Sequence, residues 1–188
     1  MAEESKFVRQ VLDAVRKRVL PSPLFIEQGR VLLYQITLNN KLETTVEAKK
    51  FKKPTRGDSA FQTDLCVIET TADGIELPRV VLEFKASIST HDVLTYSAKA
   101  RKHKQVYPYL RYGVVVAHEA VVPHRFFIHN EALDFFAPLK NNKEAELGDY
   151  FFRLIEKEVA TSRLMERIAF DAQPTFFRSE IQDRLDLK

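Results

Sequence analysis

Residues 79 to 86 read RVVLEFKA and residues 61 to 70 read FQTDLCVIET. Both runs are short, rich in β-branched and aromatic residues and bounded by turn residues, so each is expected to be a strand. Asp73 and Gly74 lie between them, a pairing that favours a two-residue hairpin loop. That loop places Asp64 directly opposite Glu83, and Gln62 opposite Lys85. Directly opposed side chains have Cβ atoms about 5 Å apart, and like charges so placed repel, so a positive group is needed between the two acids. Alternation along the strand puts Glu83 and Lys85 on one face and Leu82 and Phe84 on the other. Carboxylate oxygens are hard ligands that suit Mg²⁺ or Mn²⁺. Taken alone, Glu-x-Lys reads more often as an ion-pair cluster on an exposed sheet face. Pro78 marks an edge or a bulge near the start of the second strand.

Downstream, Ser89 stands three residues before Asp92, the spacing of a helix cap. Residues 91 to 107 follow at helical spacing, and Pro108 should end the helix. The run Tyr112-Gly113-Val114-Val115-Val116-Ala117 is continuous in apolar character, as in a strand buried on both faces. Upstream, residues 6 to 20 form an amphipathic helix through Phe7, Val11, Leu12, Val15 and Val19. Residues 30 to 38 (RVLLYQITL), with 43 to 49 as a further candidate, add one or two strands. The expected order is helix, strand, strand, strand, helix, strand.

With Asp64 and Glu83-x-Lys85 falling in that order, the chain resembles the PD-(D/E)XK nuclease superfamily. The resemblance covers about residues 6 to 117 in element order, and three residues in motif terms. It implies an α/β, restriction-endonuclease-like αβββαβ core, with a central mixed sheet flanked by helices. Asp64 matches the motif's first acid, Glu83 the second and Lys85 the lysine. Thr63 stands where the eponymous proline would be. A further acid near the first helix or strand is common in the family, and Glu27, Glu43 and Glu47 compete for that place. Gln105 and Tyr109 match the Gln-x-x-x-Tyr of RecB-like nucleases, with Pro108 between them.

The resemblance implies that Asp64 and Glu83 hold one or two Mg²⁺ ions, for which Mn²⁺ substitutes, with the Phe84 carbonyl oxygen as a further candidate ligand. The metal would polarise the scissile phosphate and activate a water, and Lys85 would orient that water and offset charge in the transition state. Gln62, Glu27, Glu47 and Gln105 are candidate accessory residues. The implied reaction is hydrolysis of a phosphodiester bond.

Two basic runs bracket the acids in sequence. Lys99, Arg101, Lys102, Lys104 and Arg111 fall in a segment with no acid, and residues 49 to 56 (KKFKKPTR) supply Lys49, Lys50, Lys52, Lys53 and Arg56. Each run alone reads as a solvated face; together, beside a metal site, they point to phosphate neutralisation and to nucleic acid as partner, which the resemblance implies is DNA. The net charge of +3 is small, so affinity for DNA must come from such local patches.

At 188 residues, 45% of them hydrophobic, the chain is expected to be one nuclease domain. Its core spans about residues 6 to 129, and a helical C-terminal extension about 130 to 188. The single cysteine, Cys66, excludes an internal disulfide and a four-cysteine zinc or iron–sulfur site. With no signal-like stretch and no run of about 18 apolar residues, a soluble protein of the reducing cytoplasm, without a membrane partner, is expected. His118, His124 and His129 do not make a metal motif, and His91 and His103 flank or lie on the basic helix. Residues 125 to 129 (RFFIH) read as a strand, 130 to 138 as a short helix, and 143 to 170 as one long helix or two. The stripe Phe151, Phe152, Ile155, Val159, Leu164, Met165 and Ile168 is expected to pack on the sheet. Its alternative use, with Phe176, Phe177, Asp183, Arg184 and Asp186, is a homodimer interface.

The expectation is therefore a Mg²⁺-dependent DNA endonuclease of a restriction system. Alternatives are a repair, junction-resolving or mobile-element nuclease, a non-catalytic module of the same fold that binds nucleic acid or a protein partner, and an unrelated α/β enzyme that uses the same acids for another metal-assisted hydrolysis.

Overall fold

Residues 65–70 and 76–85 are adjacent strands of a five-stranded mixed sheet, whereas residues 61 and 62 belong to a separate two-stranded sheet. The computed structural model describes residues 2–16, 20–57, 59–140, 144–171 and 173–175. In chain order the elements are α1 (Ala2–Arg16), β1 (Leu24–Gln28), β2 (Val31–Leu33), α2 (Ala48–Lys52), β3 (Ala60–Gln62), β4 (Leu65–Thr70) and β5 (Glu76–Lys85). They continue with α3 (Thr90–Val106), β6 (Arg111–Val116), α4 (His124–His129), β7 (Phe135–Pro138) and α5 (Glu144–Phe170). The main sheet runs β1-β4-β5-β6-β7, antiparallel as far as β5 and parallel from there on.

Alternation along β4 and β5 sorts the core into two layers. Leu65, Val67, Val80, Leu82 and Phe84 pack under α1 and α5, against Val11, Val15, Phe151 and Ile155. Cys66, Ile68 and Val81 face the other way, with Val93 and Ala100 of α3 and Phe126 of α4. Cys66 is fully buried, and burial pushes its thiol well up, which leaves it a core residue rather than a reactive one. The capping box expected at α3 is present: the Asp92 N–H donates to Ser89 Oγ at 3.2 Å and the Ser89 N–H to Asp92 Oδ2 at 2.8 Å.

Several expectations are corrected. The first strand of the main sheet is β1, not the run 30 to 38, which yields only β2. β1 is short, carries Glu27 and Gln28 and follows Pro21 and Pro23, so its strand character comes from pairing with β4. Gly29, at φ +74°, then turns the chain so that β2 pairs with β3 in a separate two-stranded sheet. Residues 43 to 49 hold no strand, only an isolated bridge at Thr44 and the start of α2.

RFFIH is the short helix α4, with Pro123 at its N-cap and Phe126 its one buried residue. Residues 130 to 138 end in the strand β7, which closes the parallel side of the sheet and, as an end strand, tolerates Pro138. Asn130 redirects the chain between them, its Oδ1 accepting from the Leu133 N–H at 2.8 Å. α5 is a single helix whose first half packs on the sheet, whereas Leu164 and Met165 are 51% and 37% exposed. Val19, Phe176, Phe177, Asp183, Arg184 and Asp186 lie outside the described residues. Among the described residues, no helix is long and apolar enough to cross a membrane.

The β4–β5 register holds for a reason the hairpin rule does not contain. The loop has three residues, not two: the Thr71 N–H donates to the Ile75 carbonyl, the Gly74 N–H to the Thr71 carbonyl, and Gly74 sits at φ +73°. Thr70 consequently faces Glu76, one residue out of the expected step. A bulge then restores the register, because Ile68 faces Pro78 while Val67 faces Val80, leaving Arg79 as the extra residue. Beyond it Leu65 faces Leu82, as the two-residue loop would have given.

Gly113 marks a second close approach. A Cβ there would lie 2.3 Å from ring carbons of Phe135 on the neighbouring strand. Gly113→Ala should therefore destabilise the protein by about 1 to 3 kcal/mol, read from urea unfolding, and trimming Phe135 to Leu in the same chain should recover part of the loss. An unchanged midpoint in the single variant would contradict this packing.

Candidate active site

The β1–β2 turn fixes the backbone on which the first acid stands. The Thr63 N–H donates to the Arg30 carbonyl at 2.9 Å and its hydroxyl donates to the same oxygen at 3.0 Å. The Gly29 N–H donates to the Asp64 carbonyl at 3.1 Å. Proline at 63 would lack the first of these bonds, which gives a physical reason for threonine there. β4 begins only at Leu65, so Asp64 stands at the mouth of the strand and its Oδ2 accepts the Phe84 N–H at 2.8 Å. The Phe84 contact with Asp64 thus runs through the amide N–H. Continuing the ladder one step past Leu65 and Leu82 sets Asp64 against Glu83.

Glu83 is only 2% exposed. Its Oε1 accepts from Lys99 Nζ at 3.2 Å and, in a short hydrogen bond, from the Tyr112 hydroxyl. Burial pushes its carboxyl up to about 7; the neighbouring Asp64 adds to the rise, while the Lys99 ammonium and the Tyr112 hydroxyl oppose it. Burial, with Glu83 beside it, raises the Tyr112 phenol well above its usual range, so that group is a standing donor. Oδ1 of Asp64 and Oε2 of Glu83 accept none of these bonds.

The cation on Glu83 is therefore Lys99 of α3, whereas Lys85 stands further along the same face, its Nζ 5.9 Å from the Tyr96 ring centroid. Lys99 Nζ is 5.2 Å from that ring, so two ammonium groups lie near Tyr96. Lys85 also helps hold the Asp92 carboxyl below its usual range; burial there raises it, and the Ser89 hydrogen bonds outweigh that. Motif reasoning missed the roles of Tyr96 and Tyr112 and the Lys99 ion pair. Two signals bear on them: positions 96, 99 and 103 share a helix face, and a tyrosine in a strand buried on both sides needs a partner for its hydroxyl.

Of the other candidates, Gln62 lines one cleft with Asp64, and the rest are not brought to the acids. Gln62 pairs with Val31 in the small sheet rather than opposing Lys85, because the expected strand 61 to 70 breaks at Thr63. Glu27 is bound at 2.8 Å to Arg30, which also pairs with Glu76. Glu43 accepts from Asn39 Nδ2 at 3.1 Å, and Glu47 is the exposed N-cap position of α2. Gln105 is exposed on the last turn of α3, which ends at Val106, and Tyr109 beyond it lies under Arg79. His103 is a core residue, with Nδ1 3.0 Å from the Leu33 carbonyl and its ring stacked on Tyr112, so it is not a phosphate contact.

The basic residues divide between two sides of α3. Lys104 pairs with Asp134 at 2.6 Å, and Arg111 with Asp134 and Glu158 at 2.8 and 2.7 Å, so both serve a partly buried ion network instead of an open surface. Arg101 pairs with Glu131 at the surface. Lys102 lies 4.9 Å over the Tyr34 ring, on the side of the small sheet. Lys49, Lys50, Lys52 and Lys53 are exposed on and just after α2, which sits on that sheet through Phe51. Arg56 follows them into a cleft of about 390 Å³, shared with Gln28, Gly29, Phe61, Gln62, Asp64 and Lys99.

Asp64 and Glu83 are the side chains here that could hold a divalent ion. Among the described residues no three His, Cys, Asp or Glu side chains form a metal cluster. Mg²⁺ does not require one, since it commonly takes one or two carboxylates and completes its shell with water and phosphate oxygens. Hard oxygens, a carboxyl raised by burial and a neighbouring like charge form a donor set that suits such an ion. In comparisons with known proteins, no family model matches the chain, and no curated protein matches it.

Two groups in this region titrate with opposite consequences for folding. Glu83, raised from 4.5 to about 7, takes up a proton on folding between those values, so the fold gains stability as pH falls through that window. His103, lowered by burial from 6.5 to about 4, resists protonation, so the fold loses stability as pH falls from 6.5. Between pH 6.5 and 4.5 the two oppose each other. In divalent-free buffer Glu83→Gln should therefore lose about 2 to 3 kcal/mol on acidification relative to the unsubstituted protein, and His103→Gln should gain a similar amount. Urea midpoints at several pH values measure both slopes, and parallel slopes in the two variants would contradict the assignment.

Proposed function

We propose that the protein is a Mg²⁺-dependent DNA endonuclease of restriction-endonuclease-like fold, of the restriction type. The observation that carries this reading is Asp64 beside Glu83 at the mouth of adjacent strands, with the ammonium groups of Lys85 and Lys99 on the same face. A buried carboxyl next to a second acid is an unfavourable arrangement for folding alone, and a divalent cation offsets it. The element order supports the fold: α1, β1, β4, β5, α3 and β6 follow the αβββαβ sequence, with β2, α2 and β3 inserted after the first strand.

Asp64 and Glu83 would hold the Mg²⁺ ion, which would supply a Lewis acid at the scissile phosphate. The chain's residues do the rest. Asp64 and Glu83 fix the ion, and Tyr112 holds the Glu83 carboxylate in place. Lys85 orients the attacking water and offsets the charge that develops on the phosphoryl oxygens. Arg56, Lys99, Lys102 and the α2 lysines neutralise flanking phosphates, so binding weakens with salt. Water adds to phosphorus, one P–O ester bond breaks, and a phosphomonoester and a free hydroxyl result.

The test is incubation of supercoiled plasmid with the protein in Mg²⁺ and in EDTA, beside Lys85→Ala. Nicked or linear product in Mg²⁺ alone, lost in the variant, is expected. Binding without nicking in the unsubstituted protein would overturn the enzyme in favour of a binding module.

A further inference from the structure

Beside Asp64 the surface carries a feature that phosphodiester hydrolysis does not require. The cleft of about 390 Å³ has an aromatic wall, Phe61, and two primary amides, Gln28 and Gln62. Phe61 is backed by Tyr34, stacked on it at 4.1 Å between ring centroids and 18° between planes. Two cations, Arg56 and Lys99, stand at the same cleft. Gly29 forms part of the lining at φ +74°, and a Cβ on it would come within 2.6 Å of Gln62 Nε2. A side chain at 29 would therefore displace the amide, and glycine leaves it room.

We propose that this cleft binds one nucleotide of the DNA substrate, turned out of the base stack, next to the phosphate that is cut; the inference rests on the function proposed above. The volume lies near the low end of the range for small-molecule sites, about 300 to 1,000 Å³, which is the scale of a single nucleotide and not of a duplex. A primary amide offers both a donor and an acceptor, which matches the edge of a base that has lost its pairing partner. An aromatic ring offers any base a stacking surface, with Lys99 Nζ 5.9 Å from the same Phe61 centroid, and the exposed Arg56 meets the phosphate. The ring, the amides and the cations thus read base, base edge and backbone within one cleft, with Asp64 at its border.

The experiment measures affinity in EDTA by fluorescence anisotropy, with a 20-base-pair duplex and the same duplex carrying one bulged nucleotide. A bulge has already met the cost of leaving the stack, so the bulged duplex should bind about tenfold tighter or more. Phe61→Leu should reduce that preference to below about threefold. Gln62→Ala, at an exposed position, serves as the second variant and should lower it in the same direction without disturbing the fold. Equal affinity for the two duplexes, no measurable binding of either, or a preference untouched by both variants would overturn the proposal. Cleavage in Mg²⁺ separates the two ideas. Asp64-dependent nicking without a preference for the bulge sinks the nucleotide cleft alone, and a Phe61-dependent preference without nicking sinks the nuclease alone.

Discussion

Asp64→Asn is expected to slow DNA cleavage in Mg²⁺ by about three orders of magnitude, while the melting temperature moves by only a few degrees. The two effects separate because Asp64 has two jobs on different oxygens. Oδ2 accepts the Phe84 N–H, a bond that the asparagine oxygen preserves, so the strand mouth keeps its shape. The charge is what asparagine lacks, and without it Glu83 faces a divalent ion alone. Loss of that charge also relieves the repulsion that raises the Glu83 carboxyl, so the variant gains slightly in metal-free stability. Single-turnover rates on plasmid, beside thermal melts, measure both. A variant that cuts within tenfold of the unsubstituted rate would remove Asp64 from the catalytic set.

Arg79→Ala should cost about 3 to 5 kcal/mol, the largest loss expected from one substitution away from the acids. Arg79 is the bulge residue, 4% exposed, and its guanidinium is 2.6 Å from Glu69 and 2.6 Å from Glu166. It also lies 5.3 Å from the Tyr109 ring centroid. Truncation leaves Glu69 to Arg163 alone and strips Glu166 of this cation. Because the bulge sets which β5 residue faces Leu65, such a variant should lose cleavage along with stability. Arg79→Met keeps the packed stem of the side chain and should recover part of the loss. Urea midpoints for the two variants test this, and a change under 1 kcal/mol in Arg79→Ala would contradict the network.

The central hairpin was legible because alternation and β-branched content survive any error in the loop. Asp64 and Glu83 are placed together although the turn has three residues instead of two, because the bulge that Pro78 signals falls at Arg79 and compensates for it. β1 was hidden because its strand character resides in β4 opposite it. α4 and β7 were exchanged because a five-residue apolar run fits either period, and Pro123 and Asn130, rather than the run itself, decide the geometry. The acids and Lys85 could be read from strand spacing, but the Lys99 and Tyr112 contacts with Glu83 join distant elements and emerge only once α3 and β6 pack on the sheet.

The most direct test is Mn²⁺ binding, followed by the loss of the free-ion electron paramagnetic resonance signal on titration with protein at pH 8. Asp64 and Glu83 jointly holding a divalent ion predicts one or two sites, weakened at least tenfold in Asp64→Asn and again in Glu83→Gln. Mn²⁺ bound with unchanged stoichiometry and affinity in both variants, or no binding at all by the unsubstituted protein, would contradict it.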